Sequence, residues 1–425
     1  MLPATRFVRL PGFVSEAQRS VTFPKGFVAA GVACGLKKKG RLDLGMLASL
    51  RPAVSAATFT SNAAAAAPVR LTRETSACDR LQAVVVNAGN ANACTGKQGL
   101  ADAARMRLLT AQHLRLPVEL VAVASTGVIG EPLDMSKVES GIAAAAGAVK
   151  PGGGEHFSQA IRTTDSSPKR GALEIRTSDG VVRLGAAAKG CGMISPRMAT
   201  MLCFVTCDAA VAADDWRVLL AAAVGKSFNR ITVDGQESTN DMVVGFANGA
   251  SGVRLGKAGL GRLAEALDAM LLALAVGMVA DGEGATKAVR LTVDGARDAG
   301  EAERVARAVA DSPLVKTAFF GRDANWGRIV QAVGQAIGRA AEPGTAGGNG
   351  SAAAATADVL YEDLAVVRGG QPVPLGEGEQ ERLADIMAGH EIDLRVGLDG
   401  GSAAATIYFS DLTHDYVTLN AEYTT

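Results

Sequence analysis

The stretch Lys189-Gly190-Cys191-Gly192-Met193-Ile194-Ser195-Pro196-Arg197-Met198-Ala199-Thr200-Met201-Leu202 sets a cation, two spaced glycines and a Ser-Pro turn ahead of a small residue and a threonine. Thr200 then opens into an apolar run, Met201-Leu202-Cys203-Phe204-Val205. A hydroxyl at the mouth of a buried strand, reached through a sterically open approach, is what an N-terminal threonine nucleophile requires. Its Oγ can attack the carbonyl of Ala199, and hydrolysis of the resulting ester makes Thr200 the first residue of a new chain. The freed α-amine, with an ordinary pKa of about 8, can then act as base for its own hydroxyl. The residue types also admit a plainer reading, because threonine at the start of a strand is common in any sheet.

Other positions carry chemistry at useful spacing. Ser125-Thr126-Gly127 follows an apolar run at residues 120–124. A Thr-Gly turn sets a side-chain hydroxyl beside a backbone N–H, and converging donors of that kind stabilise a tetrahedral oxyanion by ~3 kcal/mol each. Ile161-Arg162-Thr163-Thr164-Asp165 is a polar knot ahead of Pro168-Lys169, readable as a helix N-cap cluster or as a substrate contact. Lys189 lies among Gly, Ala and Cys, where a buried ammonium needs an anionic partner, and a substrate carboxylate is a natural candidate. Glu283, between Gly282 and Gly284, has backbone room to approach a ligand, although glycine is also frequent just past helix ends. Gly225-Lys226-Ser227 imitates the end of a phosphate-binding loop, but Leu220 occupies the position where the first glycine belongs.

The elements that must hold these groups alternate strand and helix. Residues 26–36, 56–60, 81–86 and 120–124 read as strands, and 100–114 and 135–149 as helices. Residues 173–177 and 181–188 read as a hairpin with a type I′ signal at Asp179-Gly180, delivering Lys189 beside Thr200. Helices are expected at 214–224, 263–279 and 299–310, with strands at 289–293 and 314–319. The loop Asn87-Ala88-Gly89-Asn90-Ala91-Asn92-Ala93-Cys94-Thr95-Gly96 reads mainly as architecture held by Asx-turns. The polar segment 227–241 reads as support for the pocket, and the region around Trp326 as interface or pocket wall.

The 425 residues allow two or three domains, and a hydrophobic content of 48% supplies ample core. Lys plus Arg and Asp plus Glu balance at 43 each, which leaves no footprint for nucleic acid or an anionic membrane. The six cysteines show no C-x-x-C spacing and read as reduced thiols of a cytosolic protein. The four histidines are far apart in sequence and offer no ligand pair, so no metal is expected. The first twenty residues have no apolar secretory core, leaving a loose N-terminus or a short organellar presequence. The apolar run at residues 269–280 falls short of the roughly 18 residues of a membrane span and reads as a buried helix. Residues 340–357 form the one low-complexity segment.

The Lys189–Leu202 motif resembles the cleavage and active-site motif of the ornithine acetyltransferase family, the bifunctional glutamate N-acetyltransferases of arginine biosynthesis. The lysine, the spaced glycines, Met-Ile, the proline and Met-Ala-Thr-Met-Leu are all present, while Cys191 and Arg197 stand where serine and asparagine are expected. Similarity to the family runs from Gly26 to Thr425. It implies an α/β fold, a four-layer α/β sandwich made from two chains of one autocleaved precursor: an α chain of 1–199, a β chain of 200–425, assembled as an (αβ)₂ heterotetramer. It also implies Thr200 as nucleophile, Ala199 and Thr200 as the cleavage pair, and Thr126 and Gly127 as the oxyanion hole. Substrate contacts are implied at Lys189, Glu283, Asn420, Thr425 and one of Thr163 and Thr164. The implied reaction moves acetyl from N²-acetyl-L-ornithine to L-glutamate in the cytoplasm without a cofactor, with acetyl-CoA a second donor if this member is bifunctional. Residues 340–357 look like an insertion relative to the family. Two rivals stand beside this reading: a self-cleaving aminopeptidase-type hydrolase of the same superfamily, and a non-catalytic binding protein with the same fold.

Overall fold

A computed structural model describes residues 1–195, 201–340 and 356–422. Ala199, Thr200, Thr425 and most of the low-complexity segment lie outside the described residues. The apolar run after Thr200 forms the strand Leu202–Cys207, buried at every position. It is flanked by Gly180–Lys189, antiparallel with Lys189 opposite Leu202, and by Met242–Ala247, parallel with Met242 opposite Leu202. The full sheet runs Val14–Glu16, Lys169–Thr177, Gly180–Lys189, Leu202–Cys207, Met242–Ala247, Val54–Phe59.

A second sheet in the same part of the chain runs Phe27–Val32, Leu44–Ser49, Ala83–Asn90, Val121–Val128. One apolar core joins the two sheets, with Val84, Val86 and Ala124 from one meeting Leu202, Phe204 and Met242 from the other. Strand side chains alternate faces, so each sheet keeps a second face to cover. Helices Ala67–Thr75, Gly96–Leu114 and Met135–Ala148 cover the four-stranded sheet through Leu71, Met106, Val138 and Ile142. Helix Ala213–Lys226 covers the six-stranded sheet, where Trp216 Nε1 donates to Gly245 O at 3.0 Å. These four layers, helix, sheet, sheet and helix, are the expected α/β sandwich. They lie within one of two units, comprising Met1–Asn229 and Gln236–Met278.

The other unit comprises Arg230–Gly235 and Val279–Glu422. Its sheet runs Ile231–Thr232, Ala403–Ser410, Ala288–Ala296, Glu391–Gly397, Asp358–Tyr361, Leu364–Arg368, Gln371–Pro372. Val305, Val309, Phe319 and Val333 from its helices pack on Val289, Leu291, Val396 and Phe409. Helix Lys257–Ala280 has the length and hydropathy of a membrane span. Leu263, Leu267, Met270, Leu271 and Leu274 are nevertheless fully buried within the chain, as expected for a core helix.

Two local expectations fail. Residues 314–319 are not a strand but part of the helix Pro313–Phe320. Ser312 caps it by accepting from Val315 N, proline occupies the first turn, and Val315, Ala318 and Phe319 form the buried stripe. The hairpin at 173–188 stands, but its turn is not type I′. Thr177 pairs with Gly180, and neither Ser178 nor Asp179 takes the positive φ that type I′ demands. Thr177 Oγ1 stabilises the turn instead, accepting from Asp179 N at 3.1 Å and donating to Gly180 O at 2.7 Å.

Candidate active site

Lys189 ends its strand only 2% exposed, and its Nζ donates to Thr126 Oγ1 at 3.1 Å. An ammonium is a donor only, so the Thr126 oxygen must accept and its own proton points away from Lys189. Thr126 lies near the end of Val121–Val128, followed by Gly127 at φ +135°. A Cβ at Gly127 would fall 2.3 Å from the Gly89 carbonyl carbon, so the strand end tolerates no side chain there.

The anion that a buried lysine needs is already supplied by the chain. Asp165 Oδ1 accepts from Lys169 Nζ at 2.7 Å and from Gly190 N at 2.7 Å, while Oδ2 accepts from Thr163 N at 3.2 Å. Burial alone would push this carboxyl up. The charges of Lys169 and Lys189 and the Gly190 N–H outweigh it and hold Asp165 well below the usual carboxylate range. The Thr163-Thr164-Asp165 knot is therefore not an N-cap cluster, since no helix begins there. It locks the turn after Lys189. Thr164 Oγ1 lies 3.0 Å from Cys191 Sγ, whereas Thr163 is held by its backbone, its carbonyl accepting from Arg41 Nη2 at 3.2 Å. Burial and the Asp165 charge push the Cys191 thiol up to about 12, so it stays protonated and fills the position of the expected serine as a neutral group.

The asparagine-rich loop is architecture, as its composition implied. Asn92 N donates to Asn90 Oδ1 at 2.7 Å in an Asx-turn, and Asn92 Nδ2 donates to Gly99 O at 2.9 Å. The segment 227–241 supports it from the other side. Asn240 Nδ2 donates to Ala91 O at 2.6 Å and to Ser125 O at 2.9 Å, pinning the loop to the residue before Thr126. Asp241 Oδ1 accepts from Met201 N at 2.8 Å.

In the second unit, Glu283 accepts from Asn420 Nδ2 at 2.9 Å. The Gly-Glu-Gly sequence is explained by packing: a Cβ at Gly284 would lie 2.6 Å from Tyr416 N on the helix His414–Glu422. Two residues singled out separately in the sequence, far apart along it, thus meet.

Sequence reasoning passed over Asp165, Lys169, Asn240 and Asp241 as individuals, and Lys37 entirely. Lys37 Nζ donates to Leu42 O at 2.7 Å and Ala160 O at 3.1 Å. Burial, helped by the Arg41 charge, brings its amine down to about 7. Its only signal in the sequence is a cationic Leu-Lys-Lys-Lys-Gly loop, the usual mark of solvated surface.

Residues 28–425 match the model of the ArgJ family. The chain is 46% identical over 410 residues to the arginine biosynthesis bifunctional protein ArgJ of Symbiobacterium thermophilum, covering 95% of this chain and 98% of that protein. It is 44% identical over 401 residues to the protein of the same name from Nitratidesulfovibrio vulgaris, covering 94% and 98%. Among solved structures, ornithine acetyltransferase from Mycobacterium tuberculosis, complexed with ornithine, aligns at 40% identity and a TM-score of 0.40, covering 43% of this chain and 98% of that one.

Proposed function

The chain belongs to the ArgJ family of arginine biosynthesis, and we propose that it moves acetyl from N²-acetyl-L-ornithine to L-glutamate through an acetyl-Thr200 intermediate. It is a glutamate N-acetyltransferase, and autocatalytic cleavage is general to its family. The precursor cuts itself between Ala199 and Thr200 into chains of 1–199 and 200–425, which assemble as an (αβ)₂ heterotetramer in the cytoplasm. Strands Gly180–Lys189 and Leu202–Cys207, one on each side of the cut, remain paired in one sheet.

The observation that carries the reading is the buried Lys189–Thr126 contact at the end of that strand pair. Thr200 Oγ, deprotonated by its own α-amine, adds to the acetyl carbonyl of the donor. The developing oxyanion takes the Thr126 O–H, left unused by Lys189, and the Gly127 N–H. The C–N bond to ornithine breaks as the amine returns the proton to the leaving nitrogen. Glutamate then enters and attacks the ester through its α-amine, releasing N-acetylglutamate and restoring the Thr200 hydroxyl. Lys189, Glu283, Asn420, Thr425 and one of Thr163 and Thr164 bind the amino-acid portion. No metal or organic cofactor takes part, and acetyl-CoA serves as a second donor.

The test is Thr200→Ala. Intact mass should show a single uncut chain, and acetyl transfer should be lost; a processed or active variant removes Thr200 from both roles. Acetyl release that proceeds equally without glutamate makes the protein a hydrolase instead.

A further inference from the structure

The stretch 160–165, which locks the turn after Lys189, gathers cations. Lys37 Nζ donates to Ala160 O at 3.1 Å, Arg41 Nη2 to Thr163 O at 3.2 Å and Arg162 Nη2 to Asp165 O at 2.5 Å. Lys169 holds the Asp165 carboxylate, on which the Lys189 charge also acts. Lys37, Arg41 and Arg162 are thus tied to carbonyl oxygens, which accept a hydrogen bond without neutralising a charge. The carboxylates that act on the Lys37 amine, Asp165 and Asp43, are both committed elsewhere. Asp165 takes Lys169 Nζ and the backbone N–H groups of Gly190 and Thr163. Asp43, completely buried, accepts from the backbone N–H groups of Cys34, Gly35 and Lys37.

Two donors are left over. An ammonium carries three N–H groups, and Lys37 spends two, on Ala160 O and on Leu42 O at 2.7 Å. Arg162 Nε is buried with no hydrogen-bond partner among the described residues. Idle donors in a cationic cluster call for an acceptor, and the charge balance calls for an anionic one. Burial and the charges of Arg41 and Lys189 bring the Lys37 amine down to about 7 against the pull of Asp43 and Asp165, and an arriving carboxylate would restore its proton. The same side chain borders the oxyanion turn: a Cβ at Gly89 would lie 3.3 Å from Lys37 Cγ, and Gly89 pairs with Gly127.

The two amino acids of the proposed reaction differ in the charge of their side chains. The ornithine donor brings one carboxylate and a terminal ammonium, whereas glutamate brings two carboxylates. Lys189 can meet the carboxylate common to both. We propose that Lys37 and Arg162 seat the side-chain carboxylate of the incoming glutamate and so select a dicarboxylate acceptor over its neutral analogues. The terminal ammonium of ornithine is repelled by the same cations, so the seat distinguishes the two amino acids rather than serving both. The inference rests on glutamate being the acetyl acceptor.

Lys37→Met keeps the stem against Gly89 and removes the charge. With N²-acetyl-L-ornithine as donor, kcat/KM is measured for L-glutamate and for L-glutamine, which matches glutamate in shape but lacks the second charge. Wild type should prefer glutamate, and the variant in the full chain should lose about 10- to 100-fold on glutamate and far less on glutamine, so that the preference collapses. A wild type that takes both acceptors equally overturns the proposal. So does a variant that keeps the wild-type preference, because a merely structural role at Ala160 O would change both rates together. Where Lys37→Met gives no soluble enzyme, Arg162→Met takes the same test with the same two readings. An enzyme that transfers acetyl to neither acceptor removes the acetyltransferase reading, and this inference with it; a transferase whose preference does not depend on these residues removes this inference alone.

Discussion

Each unit buries two lysines, Lys169 and Lys189 in the first and Lys287 and Lys316 in the second, and Lys169 and Lys316 are treated in opposite ways. In the first unit Lys169 touches Asp165 at 2.7 Å, with side chains 1% and 0% exposed, and that carboxyl stays ionised. In the second, Lys316 is just as buried but donates to a neutral acceptor, Ser410 O, with its ammonium over the Phe409 ring at 5.5 Å. Asp311, Asp411 and Asp234 pull its amine upward without making contact, and burial wins, bringing it down to about 8. A carboxylate in contact preserves a buried charge, while several at a distance do not. Fixed charge is therefore stored beside Lys189 and Thr126, where the proposed mechanism places the oxyanion. Burial draws Lys316 toward its neutral form, with its amine over the Phe409 ring.

Removing the contacting carboxylate should have the largest effect. Asp165→Ala removes the carboxylate that the buried Lys169 touches and frees the Gly190 N–H, at an expected cost of about 3–5 kcal/mol in denaturant unfolding. The pH dependence has a definite sign. A carboxyl whose folded pKa is depressed contributes stability that is complete above its ordinary value of 3.8 and is lost as pH falls through the lower folded value. Wild type should therefore lose stability relative to Asp165→Asn only in that acidic window. A loss as small as that at Lys316 would erase the contrast between the two units.

Thr126→Ala comes next and sharpens the assignment of the charge to catalysis. Loss of one oxyanion donor should lower kcat by about 10²–10³. Substrate KM and thermal stability should move little, since Lys189 retains the nearby Asp165 charge. An unchanged kcat would return the Lys189–Thr126 contact to architecture.

The contrast also marks what the chain reveals before it folds. The strand after Thr200, the hairpin that delivers Lys189 and the asparagine-rich loop are local patterns, and apolar runs and turn residues declare them. Lys189 and Glu283 stood out by their small neighbours, whereas Thr126-Gly127 is an unremarkable turn on spacing alone and was singled out by the family resemblance. Asp165 and Lys169 were quoted only as parts of a polar knot. Four apart in sequence but on no shared helix, they meet because the chain turns back into Lys169–Thr177. Asp241 is one polar residue in a polar segment, and only the parallel register with Leu202–Cys207 brings it to Met201. Residues 314–319 went wrong because a short apolar run fits a buried strand and a helix face equally, and the capping Ser312 and Pro313 decide between them.

The smallest effect belongs to Lys316, and it is the one that most directly checks the opposite treatment of the two lysines. Lys316→Met keeps the apolar stem and removes only the donor to Ser410 O, so the expected loss near neutral pH is about 1–2 kcal/mol. The sign of its pH dependence is the discriminating feature. With a folded value of about 8 and an ordinary value of 10.5, the unfolded chain binds the extra proton between those limits, so wild type should gain stability as pH rises through that window. The gain is at most ~1.4 kcal/mol per unit for one proton. Lys316→Met should lack that slope, whatever the remaining lysines contribute to both proteins. A variant that keeps the slope would mean that Lys316 retains its charge in the folded chain. The distant carboxylates of the second unit would then be as effective as the contacting one of the first.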